Sequence, residues 1–177
     1  GEAERAGYFL ANVLESQKNR LYFFLENTDE FVTDYEDEEA TGHCLTLGRP
    51  NQWYFVPGLA ACFLTALYQA TDNDPFLEAA QGFVQFADSS GDDRYGPVRS
   101  GFLGLAAALL YRLTDVTHYL EIAQEVGGNI IEAQMSNGSW AEASMGYAPP
   151  APIVDATAEN VIVLNGILQV LGGTGRQ

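Results

Sequence analysis

Apolar residues recur along most of this chain at every third or fourth position, the spacing of a helix face, and the pattern predicts six helices. The first covers about 3–18, with Phe9, Leu10, Val13, Leu14 and Gln17 on one side. The others cover about 56–70, 75–88, 99–113, 118–135 and 156–171. Asp74 is the expected N-cap of the third, with Pro75 in its first turn, and Gly172-Gly173 stops the sixth. Between the first two helices, the aromatic and β-branched runs 21–24 and 31–35 flank Asn27-Thr28-Asp29, which reads as a β-hairpin.

These helices fall into two kinds. The second, fourth and sixth are apolar nearly all round, as in Val161-Ile162-Val163-Leu164, so they are expected to be buried on every side. The third and fifth are amphipathic, with stripes of Phe76, Ala79, Ala80, Phe83 and Ala87 and of Tyr119, Ile122, Ala123, Val126 and Ile130. Inner and outer helices therefore alternate. The alternation is a repeat: Gly58–Gln81 lies on Gly101–Gln124 at a constant offset of 43 residues with nine identities, among them Gly58/Gly101, Leu67/Leu110, Tyr68/Tyr111, Thr71/Thr114 and Asp72/Asp115. A fixed period of this size marks stacked copies of one helical unit. The expected fold is all-α, one domain over 1–177 built of helical hairpins with a small β-hairpin insertion.

Connection lengths turn the repeat into an address. Inner helices pass to outer ones through tight turns at 71–74 and 114–117, whereas the returns, about 19–55, 89–98 and 136–155, are long. Side-by-side packing of the hairpins puts all three long connections at the end where the inner helices begin. Long loops on one face of a repeat array are its usual binding face, and helix N-termini there offer free N–H groups.

Composition narrows the partners. The formal charge of -16 argues against nucleic acid and anionic membrane, both of which select clustered Lys and Arg. It favours a neutral or cationic ligand, or simply solubility; salt adaptation is another reading, since Lys18 is the only lysine. Cys44 and Cys62 are expected as thiols rather than a disulfide, which points to a cytoplasmic location. No signal peptide is expected, and Val56–Tyr68, the longest apolar stretch, is shorter than the roughly 20 residues of a membrane span. Asn137-Gly138-Ser139 is a glycosylation sequon that matters only in a secreted protein.

The alternation of inner and outer helices resembles an α/α toroid, the architecture shared by terpenoid cyclases, protein prenyltransferases and carbohydrate-active barrels. Gln134-Met135-Ser136-Asn137-Gly138-Ser139-Trp140 resembles the Gln-Trp repeat of the cyclases: Gln134, Gly138 and Trp140 keep its spacing and Ile130 its aliphatic position, while Asn129 stands where an aromatic belongs. In that family the motif ties an outer helix to its loop, so the resemblance, over about 56–171, implies architecture. The family's acid cluster and its paired magnesium-binding acids are absent from this sequence; Asp92-Asp93 is the nearest run and lies in a Gly-rich turn. Three hairpins do not close a six-hairpin ring, which implies a fragment, an open arc, or half of a homodimer or of a ring completed by a second segment.

Candidate chemistry gathers at the long-loop end. Asp155 and Glu159 stand one turn apart at the start of the sixth helix, spaced to share a face and to divide acid and base roles; Asp155 is equally a natural N-cap, and Glu159 suits a helix N-terminus. Asn51, Gln52, Trp53 and Tyr54 precede the second helix and either line a pocket or plug the end of the core. Tyr95 extends that wall, and Arg99 either clamps an anionic group or pairs with a loop acid. His43 beside Cys44 offers a base next to a thiol, but neighbours in sequence point apart. No spacing fits zinc, calcium or a phosphate loop, so neither metal nor cofactor is expected.

The reading that follows is a toroid-type enzyme acting on a small, largely apolar, terpenoid-like metabolite by metal-free acid–base cyclisation, isomerisation or elimination. Asp155 and Glu159 would move protons; Asn51, Gln52, Trp53, Tyr54, Tyr95 and Arg99 would hold the substrate. A carbohydrate-active enzyme on the same scaffold is the alternative, disfavoured by inner helices poor in Asn, Gln and Asp. A non-catalytic binding or assembly module is the third.

Overall fold

The structure, a computed structural model, describes residues 1–17, 19–26, 30–35, 40–96, 100–140 and 154–173, with the side chains of Ala40, Thr41 and Asp155 outside that description. The chain is mostly helical: α1 (Glu2–Ser16), β1 (Arg20–Tyr22), α2 (Ala40–His43), β2 (Cys44–Thr46), α3 (Phe55–Thr71), α4 (Asp74–Asp88), α5 (Gly101–Thr114), α6 (Thr117–Glu132) and α7 (Val154–Gly172). Each predicted helix is present, with ends shifted by at most three residues. The N-cap of α4 is Asn73 rather than Asp74. Its amide does not cap the helix; it donates to the Tyr8 hydroxyl at 2.8 Å and fastens α4 to α1.

α5 is the hub, packed on α3, α6 and α7, while α3 and α4 form the preceding hairpin and α1 lies against both. Glycines set the spacing. A Cβ on Gly58 of α3 would collide with the backbone of Phe102 and Leu103 in α5, so only hydrogen lets the two helices touch there. Gly101, its repeat mate, faces Val163 of α7, where a Cβ would come within 3.2 Å of Cγ2. Farther along, Gly104 meets Val126 and Ile167, and Gly166 meets Leu105. Contact positions on α5 and α7 rise together, so these two helices run in the same direction.

The repeat is also structural at the tight turns. Asp72 and Asp115 both take the left-handed conformation, at φ 56 and 55. Their N–H groups donate to Tyr68 O at 2.7 Å and Tyr111 O at 2.8 Å. Thr71 and Thr114 hydroxyls donate to Leu67 O at 2.7 Å and Leu110 O at 2.8 Å. One local sequence thus builds one helix end twice, satisfying carbonyls that a helix C-terminus leaves open.

Two expectations need correction. β1 does not form a hairpin ladder with 31–35: it pairs antiparallel with β2, Leu21 opposite Leu45, and the predicted hairpin survives as a single bridge between Leu25 and Phe31. Its turn, Asn27-Thr28-Asp29, lies outside the described residues. Nor are the inner helices buried on every side. α5, with neighbours on three flanks, nearly is; α3 leaves Leu59 and Phe63 exposed, and α7 leaves Val161, Ile162 and Leu168 exposed, because each lacks a neighbour on one side among the described residues.

Gly58→Ala is expected to destabilise the protein by about 1–3 kcal/mol through overpacking, although alanine suits a helix interior better than glycine by about 1 kcal/mol. Gly128→Ala, in α6 with nothing within 4 Å of the added Cβ, is expected to stabilise by up to about 1 kcal/mol. Urea midpoints that move the same way in both variants would refute the close-approach assignment.

Candidate functional site

The first two long connections pack on one another through polar ties. Gln52 is buried, and its side chain mimics a strand: Oε1 accepts from Thr46 N at 2.6 Å, and Nε2 donates to Thr46 O at 2.8 Å and Arg49 O at 2.6 Å. Asn51 turns the chain at φ 58, and its N–H donates to Asp93 Oδ2 at 2.7 Å. The buried Tyr54 hydroxyl donates to Asp93 Oδ1 at 2.6 Å. Burial first, then the adjacent Asp93 carboxylate, push that phenol far above its ordinary pKa. Gly91 sits against the carbonyl of Arg49, where any Cβ would clash. The first two long connections are therefore one joined surface.

The second connection also runs along α6. Asp88, the last residue of α4, accepts hydrogen bonds from the Tyr95 hydroxyl, from Arg94 Nε at 3.1 Å and from His118 Nε2 at 2.7 Å. Arg94 also lies over the Tyr95 ring, 4.4 Å from its centre. Asn129, near the far end of α6, donates to Tyr95 O at 2.9 Å. Burial alone would raise the Asp88 pKa, but the three donors outweigh it and hold the carboxyl below its ordinary value. Burial, with Asp88 alongside, pushes the Tyr95 phenol up to about 12.

The third connection shows the Gln-Trp-like segment at work. Gln134 Nε2 donates to Gly138 O at 3.0 Å, closing the turn, and the buried Trp140 indole donates to Ile130 O at 2.7 Å in the last turns of α6. Trp140 N donates to Thr157 Oγ1 of α7 at 3.2 Å. The segment thus ties an outer helix to its loop and to the next inner helix.

The named site residues are not all brought together. Asn51 and Tyr54 meet at Asp93, while Tyr95 turns to Asp88. Trp53 is half-buried, parallel to Phe23 at 6.5 Å between ring centres and 5.8 Å from Phe55. Glu159 is exposed on α7, which packs on α5 and α6, and takes part in an interaction within its own chain. The Asp155 side chain and the whole of Arg99 lie outside the described residues. His43 stacks on Tyr35 at 4.2 Å and leans on Phe24 at 5.3 Å, while Cys44 beside it is buried, its Sγ 3.7 Å from Thr46 Oγ1. Neither Cys44 nor Cys62 is in a disulfide. Among the described residues, no three His, Cys, Asp or Glu side chains gather as a metal cage, and no helix is long and apolar enough to cross a membrane.

One feature escaped sequence reasoning. A cavity of about 250 Å³ lies between α1, the segment 21–25, Phe31 and the start of α3. Its walls are Phe9, Leu10 and Val13; Leu21 through Leu25; Val56, Pro57 and Ala60; and Phe31 and Phe83. Six of these are aromatic, and the Tyr22 hydroxyl is the one polar side-chain group among them. Phe9, Phe24 and Leu25 remain exposed and rim its mouth. The signal was the run of bulky apolar residues in a long connection, which the hairpin reading absorbed.

No protein-family model, curated protein or solved structure matches the chain.

The Asp88 cluster makes stability pH-dependent. The hydrogen bond to Asp88, outweighing partial burial, raises the His118 pKa above its ordinary value. A raised folded value means the contribution is fully present below the unfolded pKa and fades as pH climbs through the folded one. More than half of the His118 side chain is in water, 54% exposed, so the effect is at most about 1 kcal/mol. His118→Gln is expected to flatten the stability profile between about pH 6 and 8, as followed by denaturant melts; an unchanged slope there contradicts the assignment.

Proposed function

We propose that the chain binds a small, uncharged, largely apolar molecule in the cavity between α1, the 21–25 segment and α3. The observation that carries the reading is the wall itself: about 250 Å³ of space, six aromatic rings and a single side-chain hydroxyl. Concave apolar space with few polar groups is the usual form of a small-molecule site. A charged ligand entering it would lose its hydration with nothing to replace it.

Binding, rather than turnover, is the better-supported half of this reading. A general base works best with a pKa near the operating pH. Asp88 and Asp93 already accept hydrogen bonds from protein donors, and no carboxylate lines the cavity. Naphthalene serves as a probe. It is expected to bind in calorimetry and to raise the melting temperature progressively as its free concentration rises toward the solubility limit. Ala60→Phe is expected to fill the space and abolish binding with the fold retained. Equal affinity for naphthalene-2-carboxylate, or binding unchanged by the filling variant, rules the site out.

A second reading keeps the toroid-type enzyme. What favours it is the alternation of hairpins α3–α4 and α5–α6 with α7, together with the tie of Trp140 to Ile130 O, the job that the similar motif does in terpenoid cyclases. In that reading Glu159, an acid on an otherwise apolar inner helix, moves the proton. Glu159→Gln is expected to abolish turnover of an apolar polyene substrate with melting behaviour preserved; full turnover in the variant removes Glu159 from the mechanism.

A further inference from the structure

The inner helices share a surface that no described residue covers. On α3, Leu59 and Phe63 stand one turn apart and exposed. Next to them on α5, Phe102, Leu105 and Leu109 are half-buried. Leu105 reaches Gly166 of α7, and one turn before Gly166, Ile162 is 62% exposed. Two charges mark its ends: Arg112, one turn beyond Leu109, and Glu159, one turn before Ile162, both exposed. Because α5 and α7 run in the same direction, the cation and the acid sit at opposite ends.

We propose that this surface is an interface between two copies of this chain, inner helices facing inner helices, related by a two-fold axis near Leu105. Size, charge and self-complementarity favour a second copy over other occupants. The first is size. Three helices 8–10 Å apart and 14 or more residues long present roughly 25 Å by 22 Å, about 550 Å². That approaches the ~800 Å² each partner buries in a stable complex and far exceeds what one added helix covers.

The second is charge. The chain carries -16, yet the exposed positions 59, 63, 66 and 70 of α3 are Leu, Phe, Ala and Ala. Two such acidic chains meet without opposing acids when they meet here. The third is self-complementarity, which a two-fold contact demands. A two-fold across the helix axes lays one copy's helices antiparallel to the other's and brings Arg112 to the partner's Glu159, twice. Glu159 also holds an interaction in its own chain, and a carboxylate accepts more than one donor.

Sedimentation velocity on the full 177-residue chain, from about 1 to 100 µM, tests this. The expected result is a dimer. Ile162→Glu and Leu59→Glu each place an unpaired charge in the interface and are expected to raise its dissociation constant by at least about a hundredfold, with the helical circular dichroism unchanged. Arg112→Glu should weaken the dimer, and adding Glu159→Arg should recover it. Both charge positions are exposed, so this pair decides the matter even if an apolar-face variant does not fold. A monomer throughout the range overturns the proposal, whether or not it retains a small molecule, and so does a dimer indifferent to every variant. Failure of the double charge exchange to restore association overturns the antiparallel arrangement.

Discussion

The structure hangs on the contact that Gly58 makes with the backbone of Phe102 and Leu103. Bare backbone at that point lets α3 and α5 approach more closely than any side chain would permit. α5 then occupies the centre of the layer, and its own Gly101, 43 residues later, repeats the close approach to Val163 of α7. Outer helices follow from inner ones, since the turns at Asp72 and Asp115 are too short to leave any choice. The same αL residue, the same N–H to the tyrosine carbonyl and the same threonine back-bond end both inner helices. A glycine at one end and a Thr-Asp pair at the other therefore set the start, length and exit of the unit.

What remains is to hold the long connections on that layer, and the chain does it with acceptors that gather several donors each. Asp93 gathers Asn51 N–H and the Tyr54 hydroxyl. Asp88 gathers Tyr95, Arg94 and His118. Gln52 closes its own loop, and Trp140 closes the third. The part-buried Asp88 carboxylate is stabilised by its donors against the cost of burial, and each donor it loses would leave that charge less satisfied. This explains why an acidic chain keeps tyrosines at these positions: a phenol reaches from the core edge to the acid while burying its ring.

Legibility in the sequence followed the range of the interactions. Helices, their two kinds and the repeat were readable because periodicity and caps are local; Leu67, Tyr68, Thr71 and Asp72 announce their turn without help from elsewhere. The pairing of β1 with β2 was not readable, because the residues nearest β1 that look like a strand, 31–35, are not the ones that bond to it, and Leu45 is brought to Leu21 by the whole first connection. The site was half readable. Asn51, Tyr54 and Tyr95 do sit where the long connections meet, but the choice between lining a pocket and plugging the core depends on where Asp88 and Asp93 lie, a tertiary fact. The cavity was invisible for the same reason: Phe9, Phe23, Val56 and Phe83 come from four separate parts of the chain.

The two apolar features differ in what can fill them. The cavity beside α1 is walled by aromatic rings and open at one mouth, and a guest of matching shape gains by leaving water. A guest that buries about 200 Å² of apolar surface gains about 5 kcal/mol at roughly 25 cal/mol/Å², before the cost of immobilising it. Affinity from such walls alone is therefore modest, near the millimolar range, and selectivity rests on shape because Tyr22 is the one side chain able to read a polar group. The inner-helix surface is broad and open, so no guest of that size shields it. Its apolar area leaves water only against a partner of its own dimensions, and uncharged surface at its centre is what lets two chains of the same sign approach. The proposed small-molecule site and the proposed self-association surface are thus separate and joined through α3, whose Val56, Pro57 and Ala60 line the cavity while Leu59 and Phe63 are exposed.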